Sequence, residues 1–231
     1  MCGRFALYAA RMTPEAFEAR FGFPMPLIFR QPYSFNIPPY QDIPVIYQEK
    51  GAPPAMRDML WQLIPAFSKT FDSTYNMFNS RDDSFLKKGF KQNLLRRSRC
   101  IIPANHFYEW EKRGSEKIPI KFEMADQSLF SLGGIYSIWQ DPQGPVRYSC
   151  SIITVPPNKV VAPVHNRMPF ILPQKWEKKW LDPSFTDIDA LVDMMEPFPA
   201  AQMRAARVSS EVNSTRNDGP HLMEEIEESE K

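Results

Sequence analysis

The sequence predicts an α+β fold: a curved, mostly antiparallel β-sheet with a barrel-like core, flanked by short helices. Three observations carry this reading. Short apolar runs with strand character outnumber helical ones, without the regular alternation that parallel βαβ units require. There are 23 prolines against 9 glycines, and many of the prolines sit inside apolar runs such as Ile102-Pro103 and Val155-Pro156-Pro157. That pattern reads as short strands joined by stiff connections. A chain of 231 residues, 43% of them hydrophobic, can bury a core without disulfides.

The elements follow in order. Gly3 to Tyr8 is a short apolar strand. Thr13-Pro14-Glu15 offers an N-cap, a proline at the first helical position and an early acid, so a helix should run to about Phe21 and stop at Gly22. Residues 23–42 carry five prolines and are expected to be irregular. Strands are expected at Val45–Gln48, Met56–Leu63 and Cys100–Ile102, with a helix from Ser84 to Arg97 broken near Gly89. Phe107–Lys112, Ile118–Met124, Leu129–Trp139 and Val146–Thr154 read as successive strands. Gln174–Leu181 and Asp187–Met195 read as short helices, and Met203–Val208 as a last strand. Residues 1–222 form one expected domain. The glutamate-rich stretch from Met223 to Lys231 reads as a disordered acidic tail.

Charge and cysteine usage narrow the function. The net charge of +1 argues against a nucleic-acid coat protein; DNA contact would need a local patch. Such a patch is on offer from Lys87 to Lys121, where basic residues outnumber acidic ones ten to three. It is either a solvated surface or a phosphate-tracking one. Cys2, Cys100 and Cys150 are the three cysteines, none in a C-x-x-C pair, so neither a disulfide framework nor a zinc knuckle is expected. Cys100 and Cys150 lie in apolar runs as inert core residues. No apolar run is long enough to span a membrane, and Met1-Cys2-Gly3-Arg4 has no apolar stretch of a secretory signal behind it. The chain reads as cytoplasmic and reduced.

The N-terminus carries the chemistry. Removal of Met1 would leave Cys2 with an α-amine and a thiol on adjacent carbons. An α-amine has a pKa of about 7.7–8.0 against about 10.4 for lysine, so much more of it is free base at neutral pH. It can attack an aldehyde to give an imine, and the thiol can close a five-membered thiazolidine. A buried structural cysteine near the start codon is the plainer alternative.

Several separated segments then agree with one family. Met1-Cys2-Gly3-Arg4-Phe5, Phe35-Asn36-Ile37-Pro38-Pro39, Trp61-Gln62-Leu63-Ile64-Pro65, Asn79-Ser80-Arg81, Arg99-Cys100-Ile101-Ile102-Pro103-Ala104 with Phe107-Tyr108-Glu109-Trp110, and Val164-His165-Asn166-Arg167-Met168-Pro169 occur in order. Together they resemble the SOS-response-associated peptidase (SRAP) family over nearly the whole chain. Gln62, Phe67-Ser68, Asp82-Asp83 and His106 depart from the family's usual residues. Class II glutamine amidotransferases share only the Met-Cys-Gly opening.

The resemblance implies covalent capture of abasic sites in single-stranded DNA, as a thiazolidine crosslink through Cys2 that shields the lesion. It implies a monomer that takes abasic single-stranded DNA as its partner, is nucleoid-associated when bound, and uses neither cofactor nor metal. The family's peptidase name reflects removal of the residue before Cys2; a cysteine peptidase or amidohydrolase using Cys2 is the alternative activity.

Individual residues fit these roles on their own chemistry as well. Glu109 lies among Phe107, Tyr108 and Trp110; buried there, its pKa would rise and suit proton transfer, whereas strict alternation would put it on a solvent face. His165 can move protons near neutral pH, or be structural. Asn79 could bond the Cys2 amine or the opened sugar. Arg81 and Arg4 could clamp phosphate. Gly3, Asn36 and Thr154 are expected against the DNA near the lesion, and Pro39 and Phe67 against its bases.

Overall fold

The computed structural model describes residues 2–8, 12–29, 33–72, 76–141 and 143–226. Strand β1 (Phe5–Leu7) precedes helix α1 (Pro14–Phe21). As the sequence predicts, Thr13 Oγ1 accepts from the Ala16 N–H, and Gly22 ends the helix at φ 83°, in the left-handed region. Strands β2 (Ser34–Ile37), β3 (Asp42–Tyr47), β4 (Ala55–Trp61) and β5 (Asn79–Arg81) come next, before helix α2 (Phe90–Arg97). A run of five strands follows: β6 (Arg99–Ala104), β7 (His106–Arg113), β8 (Glu116–Met124), β9 (Phe130–Gln140) and β10 (Val146–Val155). Strands β11 (Met168–Pro169) and β12 (Ile171–Leu172), helices α3 (Glu177–Leu181) and α4 (Ile188–Asp193), and strand β13 (Met203–Arg207) complete the chain.

Two sheets result. In the first, the order β10-β4-β3-β6-β9 closes on itself because β9 pairs back onto β10. This five-stranded barrel is antiparallel except where β10 runs parallel to β4, and β5 adds to it parallel to β10. Closure requires a thin spot on β9. A Cβ on Gly133 would stand 2.4 Å from the Phe170 ring, so no other residue fits without displacing that ring. The second sheet, β13-β8-β7-β1-β2, is antiparallel throughout. The predicted α+β class with a barrel-like core is thus the observed one.

Alternation sorts the second sheet's two faces. Phe5, Leu7, Phe107 and Phe122 join Trp61, Ile101, Ile135 and Ile152 of the barrel in one apolar cluster. Tyr108 and Trp110 look outward and are capped by Val208, Val212 and Leu222 of the C-terminal segment.

The structure departs from expectation in several places. Residues 23–42 are not wholly irregular: β2 lies among them, and its polar Ser34 and Asn36 hide a strand that is held by β1. Strand β5 is three residues long and polar on both ends, too short for any periodicity to register. The expected helix over 84–97 is a single tight turn at Asp82–Phe85 followed by α2, which begins after Gly89. The basic residues of 87–121 are divided between the α2 region of one sheet's flank and the β7–β8 hairpin of the other. At the tail, Glu225 bridges to Val208, and the Ile226 N–H donates to the Arg207 carbonyl at 2.9 Å. Residues 227–231 lie outside the described residues.

Candidate active site around Cys2

Cys2 enters the interior just ahead of β1 and is fully buried. Strand β1 pairs with β7 at Phe5↔Phe107 and Ala6↔His106, and the Tyr108 N–H donates to the Arg4 carbonyl at 2.9 Å. Glu109 is the next residue of β7 after Tyr108. Glu109 shares the inward face of β7 with Phe107 and is 4% exposed. The solvent-face alternative for this glutamate is therefore excluded by burial.

Burial also sets the electrostatics. It pushes the Glu109 carboxyl above the ordinary range, while the charges of the chain's amino terminus and of His165 pull the other way. The Cys2 thiol is pushed up to about 12, first by burial and then by the Glu109 charge. Cys2 is thus a neutral thiol at physiological pH.

Asn79 comes from the other sheet. Its side-chain amide donates to the Cys2 main-chain carbonyl at 2.8 Å. Strand β5 is held in place by parallel pairing to β10, Asn79↔Ile152 through Arg81↔Thr154, and by a 2.9 Å contact between Ser80 Oγ and Ser151 Oγ. Gln62 helps deliver it: its Oε1 accepts from the Met77 N–H at 3.0 Å, two residues before Asn79. Asn79 Oδ1 is buried with no hydrogen-bond partner among the described residues.

His165 lies between β10 and β11, where its N–H closes a helical turn onto the Val161 carbonyl at 3.0 Å. It is half-buried. Its Nδ1 stands 3.0 Å from the main-chain N of Arg167 and 3.1 Å from the Arg167 carbonyl oxygen. Its charge is felt by Glu109, which links this loop to the site.

Cys2, Asn79, Glu109 and His165 are therefore brought together from four separate stretches of sequence. The remaining expected residues divide. Arg81 is exposed, with its side chain 58% accessible and paired to Asp83 at 2.7 Å. Phe67 is 74% exposed and meets only the edge of Phe90, at 5.7 Å between centroids. Gly3 and Pro39 are half-buried. Arg4 and Asn36 turn inward instead: Arg4 Nη1 donates to Asn36 Oδ1 and to the Val212 carbonyl, both at 2.7 Å, and its guanidinium lies 5.5 Å from the Trp110 ring centroid. Asn36 Nδ2 donates to the Ser214 and Asn217 carbonyls at 3.0 and 2.8 Å. Both residues hold the C-terminal segment against the second sheet, a role that the sequence signals only through their neighbours Val212 and Asn213. Thr154 is buried, and its carbonyl accepts from Arg167. His106, the residue beside the motif, is buried on the outward face against Tyr8 and Tyr108, with neither ring nitrogen hydrogen-bonded among the described residues.

Residues 1–215 match the family described as SOS response associated peptidase (SRAP). The chain belongs to the SRAP family. Similar curated proteins include abasic site processing protein YoaM of Bacillus subtilis (strain 168), 38% identical over 97% of this chain and 98% of its own. Abasic site processing protein YoqW of the same organism is 38% identical over 83% of this chain and 85% of its own. Among solved structures, a protein from Bacteroides thetaiotaomicron superposes with a TM-score of 0.82 at 25% identity, covering 97% of this SRAP chain and 100% of that one. No helix among the described residues is long and apolar enough to cross a membrane.

Sequence reasoning assigned no role to two residues at this SRAP site. Arg167 and Asp82 form an ion pair at 2.6 Å, with side chains only 11% and 21% accessible. The signal was present in outline, since Arg167 is two positions after His165 in one motif and Asp82 directly follows Asn79-Ser80-Arg81.

Proposed function

We propose that the protein processes abasic sites in single-stranded DNA, capturing each as a thiazolidine crosslink on Cys2 after Met1 has been removed. The observation that carries the reading is the convergence of Asn79, Glu109 and His165 on an N-terminal cysteine. The names of the similar proteins point to the same lesion.

The ring-opened abasic sugar presents an aldehyde. The Cys2 α-amine adds to its carbon, and the resulting carbinolamine loses water to leave an imine. The Cys2 sulfur then adds to the imine carbon, and the thiol proton passes to the nitrogen. Amine, thiol and aldehyde thus give thiazolidine and one water, with no net oxidation.

The site suits this order of events. Burial and the Glu109 charge both favour the neutral thiol, which fits an order in which the amine attacks first and the sulfur follows intramolecularly. Glu109, raised by burial, can give a proton to the departing hydroxyl and take one from the thiol. His165 would serve the sugar ring oxygen as the aldehyde opens. Asn79 fixes the Cys2 carbonyl, and thereby the direction of the amine. Arg81 would meet a phosphate and Phe67 a base beside the gap.

Mixing Met1-processed protein with uracil-excised single-stranded DNA and running a denaturing gel tests the proposal. A heat-stable slower band is expected; a released peptide or no adduct would contradict it.

A further inference from the structure

Arg167 is tied down at its side chain and presents its main chain to His165. Its Nη2 donates to Asp82 Oδ1 at 2.6 Å and to the Thr154 carbonyl at the end of β10. Its own N–H and C=O stand 3.0 and 3.1 Å from His165 Nδ1. These two groups serve opposite ring states. The N–H holds an unprotonated Nδ1, which leaves the proton on Nε2; the C=O accepts from a protonated Nδ1, which leaves Nε2 as a base or completes the imidazolium. The ring can therefore change its protonation without turning, provided that the Arg167 backbone stays in place.

Asp82 helps to keep it there, beside the Thr154 carbonyl and the Val155↔Met168 pairing. The residue opens the tight turn Asp82–Phe85 immediately after β5, the strand that carries Asn79. A largely buried charge-assisted bond at this distance is among the stronger anchors a side chain can supply.

We propose that Asp82 is a positioning residue for His165, acting through Arg167, and that it ties the strand bearing Asn79 to the loop bearing the histidine. This rests on the reading of His165 as a proton-transfer group.

The test reads the histidine directly. In DNA-free protein labelled with 15N, His165 should show the shifts of a ring locked on Arg167, with one tautomer dominant near neutral pH. In Asp82→Ala those shifts should move toward the average of a mobile ring, and single-turnover crosslinking at saturating DNA should slow by about tenfold, since a small misplacement of a reacting group costs that much or more. Affinity for undamaged strands should stay within about twofold. Asp82→Asn, which keeps an acceptor for the guanidinium, should recover most of the rate and the locked shifts. An Asp82→Ala protein with unchanged His165 shifts would overturn the proposal, whether its rate falls or not. Failure of the wild-type protein to crosslink would instead sink the proposed function, and the 15N spectra would still decide whether the strap exists.

Discussion

Tyr108 of β7 donates its main-chain N–H to the Arg4 carbonyl at 2.9 Å, next to the Phe5↔Phe107 pairing of β1 with β7. The next residue of β7 is the buried Glu109, whose charge acts on the thiol of Cys2, the only cysteine that can carry a free α-amine.

Substituting Glu109 should separate chemistry from binding. Glu109→Gln removes charge at the reaction centre and touches no phosphate, so crosslinking should slow by about 10²-fold, the lower end of general acid–base contributions. Affinity for undamaged strands should hardly change. Because burial raises this carboxyl, the wild-type rate should show a carboxyl limb above the ordinary glutamate range, absent from the variant. Rates measured at a series of pH values check both statements.

Arg81 should behave in the opposite way. It is exposed and paired with neighbouring Asp83, so Arg81→Ala should weaken binding to undamaged and abasic strands alike. Each phosphate contact on a single strand contributes about 0.7 to the salt slope. Fluorescence titrations at several salt concentrations should show the slope reduced by about that amount, with the crosslinking rate at saturation retained.

Asn79 should matter for rate more than for affinity. Its amide is the group that holds the Cys2 carbonyl. Asn79→Asp keeps the size and an acceptor but has no proton to donate there, so the amine loses its direction and single-turnover crosslinking should fall by at least tenfold. Rates for Asn79→Asp and Asn79→Ala that match the wild type would show that the bond is incidental.

His106 makes a prediction about stability. Burial, with the Lys121 charge behind it, holds its pKa well below the ordinary value. The unfolded chain takes up this proton below about pH 6.5 and the folded chain does not. Stability should therefore be full above that pH and decline as pH falls, by up to about 1.4 kcal/mol per unit from this one group. Denaturant titrations of His106→Gln between pH 5 and 7 should show a shallower decline than the wild type.

Much of the fold was legible in the sequence because the signals were local. The capping of α1 by Thr13 and Gly22 and the strands β7 to β10 rest on short motifs. What could not be read was the use made of polar atoms across long separations. Arg4 looks like a phosphate clamp until Val212, more than two hundred residues on, takes its hydrogen bond. Asn36 is consumed in the same way by Ser214 and Asn217. Strand β5 exists only because β10 holds it; three residues have no pattern of their own. Burial of Glu109 was a choice between two readings that needed the second sheet's inward face to decide.

The central claim is that one residue supplies both nucleophiles, and intact mass tests it most directly. Protein shown to have lost Met1 is mixed with uracil-excised single-stranded DNA, denatured and weighed, beside Cys2→Ala and a variant that retains a residue ahead of Cys2. The account predicts a heat-stable species equal to protein plus cleavage-free DNA minus one water, in the wild type alone. The same adduct, formed at the same rate by Cys2→Ala or by a protein whose Cys2 nitrogen remains an amide, would place the nucleophile elsewhere.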